Sequence, residues 1–216
     1  MIRCKALSVI LALLAGVAQA DEVVIAALGD SLTQGYGLPA EQGFVPQLQG
    51  WLDAQGANVR LINAGVSGDT TAGGLARVGW TLTPEVDGMI VALGGNDLLR
   101  GLDPAQARGN IEGILQASDR AEVEVLLIGM EAPGNYGPDY KAQFDALYPE
   151  LAEAYGAGFL ETFFAGLVAD GEDMDPAALR AWFQPDGIHP NAEGVARIVA
   201  RVGPEVLALV DAIEAE

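Results

Sequence analysis

The 216-residue chain has one histidine, His189, and it stands three residues after an aspartate in Asp186-Gly187-Ile188-His189-Pro190-Asn191. That spacing lets the Asp186 carboxylate reach one imidazole nitrogen, which fixes the tautomer and leaves the other nitrogen free as a base. A lone histidine is often structural, but the Gly and Pro around this one mark a loop rather than an apolar helix face. A base of this kind makes a serine nucleophilic near neutral pH. Ser8 falls in the leader described below, Ser118 lies near the end of a helical stretch, and Ser67 precedes a Gly-Asp turn that better suits a backbone donor. Ser31, in Gly29-Asp30-Ser31-Leu32-Thr33 directly after the first apolar run, is the expected nucleophile.

Acyl transfer through such a serine places negative charge on the former carbonyl oxygen, and preorganised N–H groups must meet it. Two further motifs carry suitable donors: Asn63-Ala64-Gly65-Val66-Ser67-Gly68-Asp69 and Gly94-Gly95-Asn96-Asp97. Gly68 offers a backbone N–H with no side chain in the way, Asn96 a side-chain amide, and Ser31 its own backbone N–H. Taken singly, each motif is explained by the Gly, Ser, Asp and Asn that βα turns use for tight backbone and helix caps. Their convergence is the argument for chemistry.

What must position them is a parallel sheet. Apolar runs at Val23 to Leu28, Val59 to Ile62, Met89 to Leu93, Val123 to Ile128 and Gly158 to Leu160 read as buried strands. Helical stretches at 41–55, 70–82, 104–118, 139–155 and from Ala192 almost to the terminus lie between and after them, the last expected to kink or split at Gly203-Pro204. Alternating strand and helix predicts α/β architecture, with about five parallel strands between two helical layers. Ligand sites in such sheets sit at the carboxyl ends of the strands, where the three strand-following motifs fall. Pro133, Gly134, Gly137 and Pro138 surround Tyr136 after the fourth strand, and Glu131 to Tyr140 is expected to be a mobile loop beside the site.

Arg3 and Lys5, the apolar run Leu7 to Val17 and the small-x-small triplet Ala18-Gln19-Ala20 predict a cleaved signal peptide at 1–20. A single domain at 21–216 would follow, exported to the periplasm or secreted. The apolar run is too short for a span of about 20 residues, so no stable membrane anchor is expected. The only cysteine, Cys4, leaves with the leader, so neither a disulfide nor a thiol nucleophile is expected. A formal net charge of −19 sets the surface against phosphate backbones, and no nucleic-acid partner is expected.

At its four motifs the chain resembles the SGNH (GDSL-type) hydrolases, whose blocks match Gly29-Asp30-Ser31-Leu32, Gly68, Gly94-Gly95-Asn96-Asp97 and Asp186-Gly187-Ile188-His189-Pro190. Within that family it is most similar to the bacterial periplasmic thioesterase/lysophospholipase/arylesterase branch, through Gly74-Leu75-Ala76-Arg77, Asn96 to Gly101 and Ala132 to Gly137. The resemblance implies a flavodoxin-like three-layer fold and a Ser31/Asp186/His189 triad. It also implies an oxyanion hole from Ser31, Gly68 and Asn96, with neither metal nor cofactor. The expected activity is hydrolysis of ester or thioester bonds in a small acyl substrate by a monomer, with Asp30, Tyr136 and Ile188 as further substrate-binding residues. A carbohydrate O-acetyl esterase using the same residues, or a non-catalytic binding module on the same fold, is the alternative.

Other motifs fail in context. Gly35-Tyr36-Gly37-Leu38-Pro39-Ala40 has the letters of a dinucleotide-binding turn, but it starts seven residues past the strand and puts Pro39 where a phosphate-facing N–H is needed. No Gly-x-Ser-x-Gly elbow is present, which argues against an ordinary α/β-hydrolase. Asp170, Glu172, Asp173 and Asp175 match no calcium-loop pattern and read as a solvated acidic surface.

Overall fold

The computed structural model describes residues 22–168 and 179–215. The leader and the acidic run at 170–175 lie outside the described residues.

Five strands form one parallel sheet: β1 (Val23–Gly29), β2 (Val59–Gly65), β3 (Gly88–Ala92), β4 (Glu124–Ile128) and β5 (Gly158–Leu160), in the order β2-β1-β3-β4-β5. Every residue of β1 and β3 is buried, because central strands of a parallel sheet are covered on both faces, and their sequences are therefore continuous apolar runs without alternation. The register pairs Gly29 with Gly65 on one side and with Ala92 on the other, so the carboxyl ends of three neighbouring strands are level. The chain leaves β1 toward β2 on one side and later returns to β3 on the other. That reversal opens a crevice at the carboxyl edge.

Among the described residues seven α-helices occur in chain order: α1 (Ser31–Gln34), α2 (Phe44–Gln55), α3 (Thr71–Thr81), α4 (Gly95–Arg100), α5 (Pro104–Arg120), α6 (Pro138–Tyr155) and α7 (Ala192–Glu214). Helices α3, α5 and α6 pack side by side as one layer, and α2 packs with α7 in the other. The starts follow from capping chemistry. Thr70, Asp103 and Asn191 each accept a backbone N–H from the first turn of α3, α5 and α7, and Pro104 stands where the helix has no use for an N–H.

Some boundaries differ from the expectation. The stretch from residue 41 begins as a separate 3-10 turn, Ala40–Gln42, and extended Gly43 starts α2 only at Phe44. The one-turn helices α1 and α4 are too short for any periodicity to announce. Helix α7 does not split at Gly203-Pro204: it runs unbroken for 23 residues. Gly203 presses on the Trp51 ring where a Cβ would collide, and Pro204 faces solvent, so the backbone bond that proline removes lies on the watered side. Residues 131–140 are also more regular than a plain loop, with a 3-10 turn at Gly134–Tyr136 and Pro138 opening α6 behind Gly137.

Candidate active site

Strand β1 delivers Asp30 and Ser31 to the crevice. A Cβ at Gly29 would overlap Thr33, so glycine is what lets β1 turn directly into α1. Asp30 Oδ1 accepts from the Leu32 N–H at 3.0 Å, which caps α1 and sets Ser31 at its first position. Left-handed Gly35 ends the helix after one turn.

The other half arrives from a hairpin-like segment before α7. Phe183 and Pro190 pair as an antiparallel bridge, and the turn between them holds Asp186 and His189. Asp186 Oδ1 accepts from the backbone N–H groups of Ile188 at 2.9 Å and His189 at 3.0 Å, while Oδ2 lies 2.7 Å from His189 Nδ1. These bonds, the His189 side chain first and the two N–H groups next, hold the Asp186 carboxyl down to about 2. With Nδ1 donating to Asp186, Nε2 is free to accept, and it stands 2.8 Å from Ser31 Oγ. A serine, an imidazole and an oriented carboxylate in this chain of contacts can take a proton from the hydroxyl as it attacks.

The residues expected to donate to developing charge border the same cleft. Ser31, Gly68, Asn96 and His189 all line it. Gly68 has φ +84°, a left-handed turn conformation that favours glycine. Arg100 Nη2 donates to the Gly68 carbonyl at 2.8 Å, and Asp69 is gripped by Arg77 Nε at 2.6 Å. Arg77 also donates to the carbonyls of Ala64 and Gly29, at 2.7 and 2.8 Å, which ties the ends of β1 and β2 to the Gly68 turn. Both arginines sit within sequence stretches that carry the family resemblance, yet nothing in the sequence says whom they bind.

Asn96, in the first turn of α4, donates through Nδ2 to Asp30 Oδ2 at 3.2 Å. Asp30 was expected to meet substrate. It borders the cleft but is only 2% exposed, with one oxygen bonded to the Leu32 N–H and the other to the Asn96 amide. Burial is the main reason its carboxyl is pushed up to about 6, with the Leu32 N–H and the Asn96 amide pulling it back. Tyr136 and Ile188 do border the cleft, half-exposed at its mouth.

The cleft itself, about 880 Å³, is mostly apolar, with walls that include Leu98, Leu99, Met130, Phe164, Leu167 and Phe183. Sequence reading missed this wall, because its residues come from separate segments and share no spacing. It also missed Tyr36, whose ring lies 4.6 Å from the His189 ring, centroid to centroid. Among the described residues no group of His, Cys, Asp and Glu is arranged to hold a metal ion, and no helix is long and apolar enough to cross a membrane.

Sheet order and crevice define a three-layer α/β/α fold with the Ser31–His189 pair at its carboxyl edge. The chain belongs to the GDSL-like Lipase/Acylhydrolase family, which it matches over residues 27–197. It is 36% identical to the Esterase TesA of Pseudomonas aeruginosa over 203 residues, 94% of this chain and 96% of that one. It is 37% identical to the Thioesterase 1/protease 1/lysophospholipase L1 of Escherichia coli K12, over 82% of this chain and 78% of that one. The crystal structure of AlinE4, an SGNH-hydrolase family esterase, superposes with a TM-score of 0.70 at 42% identity, covering 88% of this chain and 98% of that one.

Proposed function

We propose that the protein is a serine hydrolase that cleaves carboxylic ester and thioester bonds of small acyl substrates through an acyl-enzyme on Ser31. The observation that carries this reading is the unbroken line from Asp186 Oδ2 through His189 to Ser31 Oγ, with contacts of 2.7 and 2.8 Å, at the edge of an apolar cleft. In the proposed reaction His189 accepts the Ser31 proton as Oγ attacks the acyl carbon. The Ser31 and Gly68 N–H groups and the Asn96 amide stabilise the oxyanion. The imidazolium then protonates the leaving alcohol or thiol, and water attacks the acyl-enzyme by the same route in reverse. Asp186 orients the imidazole and stabilises its charge.

The apolar walls favour an acyl chain over a sugar acetate, since a hydrocarbon gains free energy there and a sugar leaves hydroxyls unpaired. Residues 1–20 are read as a leader, so the working enzyme would be a single domain at 21–216, periplasmic or secreted and monomeric. The test is hydrolysis of p-nitrophenyl esters and acyl thioesters of increasing chain length by the purified protein, before and after a serine-directed organophosphate. Turnover abolished by the reagent supports the reading, and a protein that binds these compounds without cleaving them contradicts it.

A further inference from the structure

Ser31 and His189 stand 158 positions apart in sequence, yet Oγ and Nε2 meet at 2.8 Å. Something must set that separation. The hairpin's own bonds, such as Asn191 N to the Trp182 carbonyl and Asn191 Nδ2 to the Ala181 carbonyl, close the His189 segment upon itself. They do not fix it against α1.

We propose that Gln184 is a positioning residue that holds the base against the nucleophile, its side-chain amide bridging the turn after α1 to the loop that carries His189. The inference rests on the reading of Ser31 and His189 as nucleophile and base. Gln184 Nε2 donates to the Tyr36 carbonyl at 2.8 Å and to the Pro190 carbonyl at 3.0 Å, one amide hydrogen for each block. The Gln184 backbone N–H donates to the carbonyl of His189 itself at 2.8 Å, and its own carbonyl accepts from the Gly187 N–H at 2.9 Å, closing the turn that contains Asp186. On the other side, the Tyr36 N–H donates to the Ser31 carbonyl at 3.0 Å. Gln184 therefore joins the two blocks: its side-chain amide links the carbonyl of Tyr36, whose N–H is bonded to Ser31, to the carbonyl of Pro190, and its backbone N–H holds the carbonyl of His189.

Two further features fit this role. Gly37 adopts φ +76°, and a Cβ there would overlap the Gln184 amide, so the turn after α1 is shaped to admit that group. The peptide that Gln184 grips also carries the Tyr36 ring that packs on the imidazole. The chemistry demands a side chain with two N–H donors, since both acceptors are carbonyl oxygens. A carboxylate would repel them, and an apolar side chain would leave them unpaired. Gln184 does not line the cleft and is not a catalytic residue. Its effect comes through geometry, to which proton transfer is sensitive.

The test compares Gln184→Met, which keeps length and loses both donors, with Gly37→Ala, which keeps Gln184 and displaces its amide. Ser31→Ala is measured alongside. All are assayed on one p-nitrophenyl ester, well below their melting temperatures. In both positioning variants kcat is expected to fall roughly 10- to 100-fold with KM changed by less than about twofold, because misplacement penalises the transition state and spares ground-state binding. The double variant is expected to be little worse than the poorer single one, since each change breaks the same link. A Gln184→Met protein with a lowered melting temperature but wild-type kcat, beside an inactive Ser31→Ala, overturns the positioning role and leaves the proposed mechanism standing. If Gln184→Met does not fold, wild-type kcat in Gly37→Ala has the same force. A fully active Ser31→Ala overturns the mechanism itself.

Discussion

The side-chain amide of Asn96 donates to the buried carboxylate of Asp30, Nδ2 to Oδ2 at 3.2 Å, so the residue that caps α1 also aims a residue of α4. An amide nitrogen carries two hydrogens, and the bond to Asp30 uses one of them. The other is available to the cleft that Asn96 lines. A donor aimed in advance meets charge that exists only in the transition state. Asn96→Ala is therefore expected to lower kcat by roughly 10²–10³ with a much smaller change in KM. A wild-type kcat with a lowered melting temperature would return Asn96 to a purely structural role.

Asp30 also makes stability depend on pH. Its carboxyl is raised from 3.8 to about 6 by burial, so the folded state binds its proton more tightly than the unfolded state does. Folding is then favoured below the unfolded value, and that advantage disappears as pH rises through about 6, a change on the order of 3 kcal/mol for this buried group. Asp30→Asn removes this titration. Its melting temperature relative to wild type is expected to improve between about pH 4 and pH 7, whatever constant offset the altered contact with Asn96 brings. Thermal melts of both proteins across that range check the sign; a pH-independent difference contradicts it.

How much of this was legible in the sequence follows from where each signal resides. The strands of the sheet announced themselves because β1 and β3 are buried on both faces and so cannot alternate. Ser31, Gly68, Asn96, Asp186 and His189 were legible because short polar motifs follow strand ends or precede a helix, and all but Asp186 line the cleft. The role of Asp30 was not, since a carboxylate beside a nucleophile looks the same in letters whether it faces substrate or the protein interior. Arg77 and Gln184 escaped for a related reason. Asp69 apart, their side-chain partners are the backbone carbonyls of Gly29, Ala64, Tyr36 and Pro190, and a carbonyl has no letter of its own.

Asp186 and Asp30 are expected to separate in their pH behaviour. With its carboxyl held down to about 2, Asp186 stays ionised through mild acid. Whatever it contributes to stability is present above its unfolded value and is lost only as pH falls through about 2, and its exposure to solvent keeps that contribution small. Asp30, raised to about 6 and bonded to Asn96 beside the cleft, changes charge at far higher pH, so a change in kcat/KM near pH 6 that Asp30→Asn removes should report Asp30 and not Asp186. Asp186→Asn should lower kcat by a factor on the order of 10³–10⁴ by releasing the tautomer, with little change in melting temperature at neutral pH.

Tyr136 lies at the cleft mouth, 42% exposed, with its ring 4.9 Å from that of Tyr140. An aromatic held at the edge of an apolar cleft supplies contact area to a chain that extends past it. Tyr136→Ala is expected to shift the preferred acyl length across an ester panel while leaving the melting temperature within about 2 °C, as surface truncations usually do. An unchanged length preference would confine Tyr136 to the packing of residues 131–140.

The central claim is that Ser31 is the acylated nucleophile, and it is tested most directly by locating the adduct of a serine-directed organophosphate by peptide mass mapping, with residual esterase activity followed in the same samples. Ser67 borders the same cleft, but its Oγ bonds Gln34 Oε1 at 2.9 Å, whereas Ser118 is buried against the Ile114 carbonyl. The account predicts one adduct, on the peptide containing Ser31, that accumulates in step with loss of activity, while Ser31→Ala takes up no label and Ser67→Ala labels normally. Label on Ser67 with Ser31 unmodified, or full activity in Ser31→Ala, would contradict it.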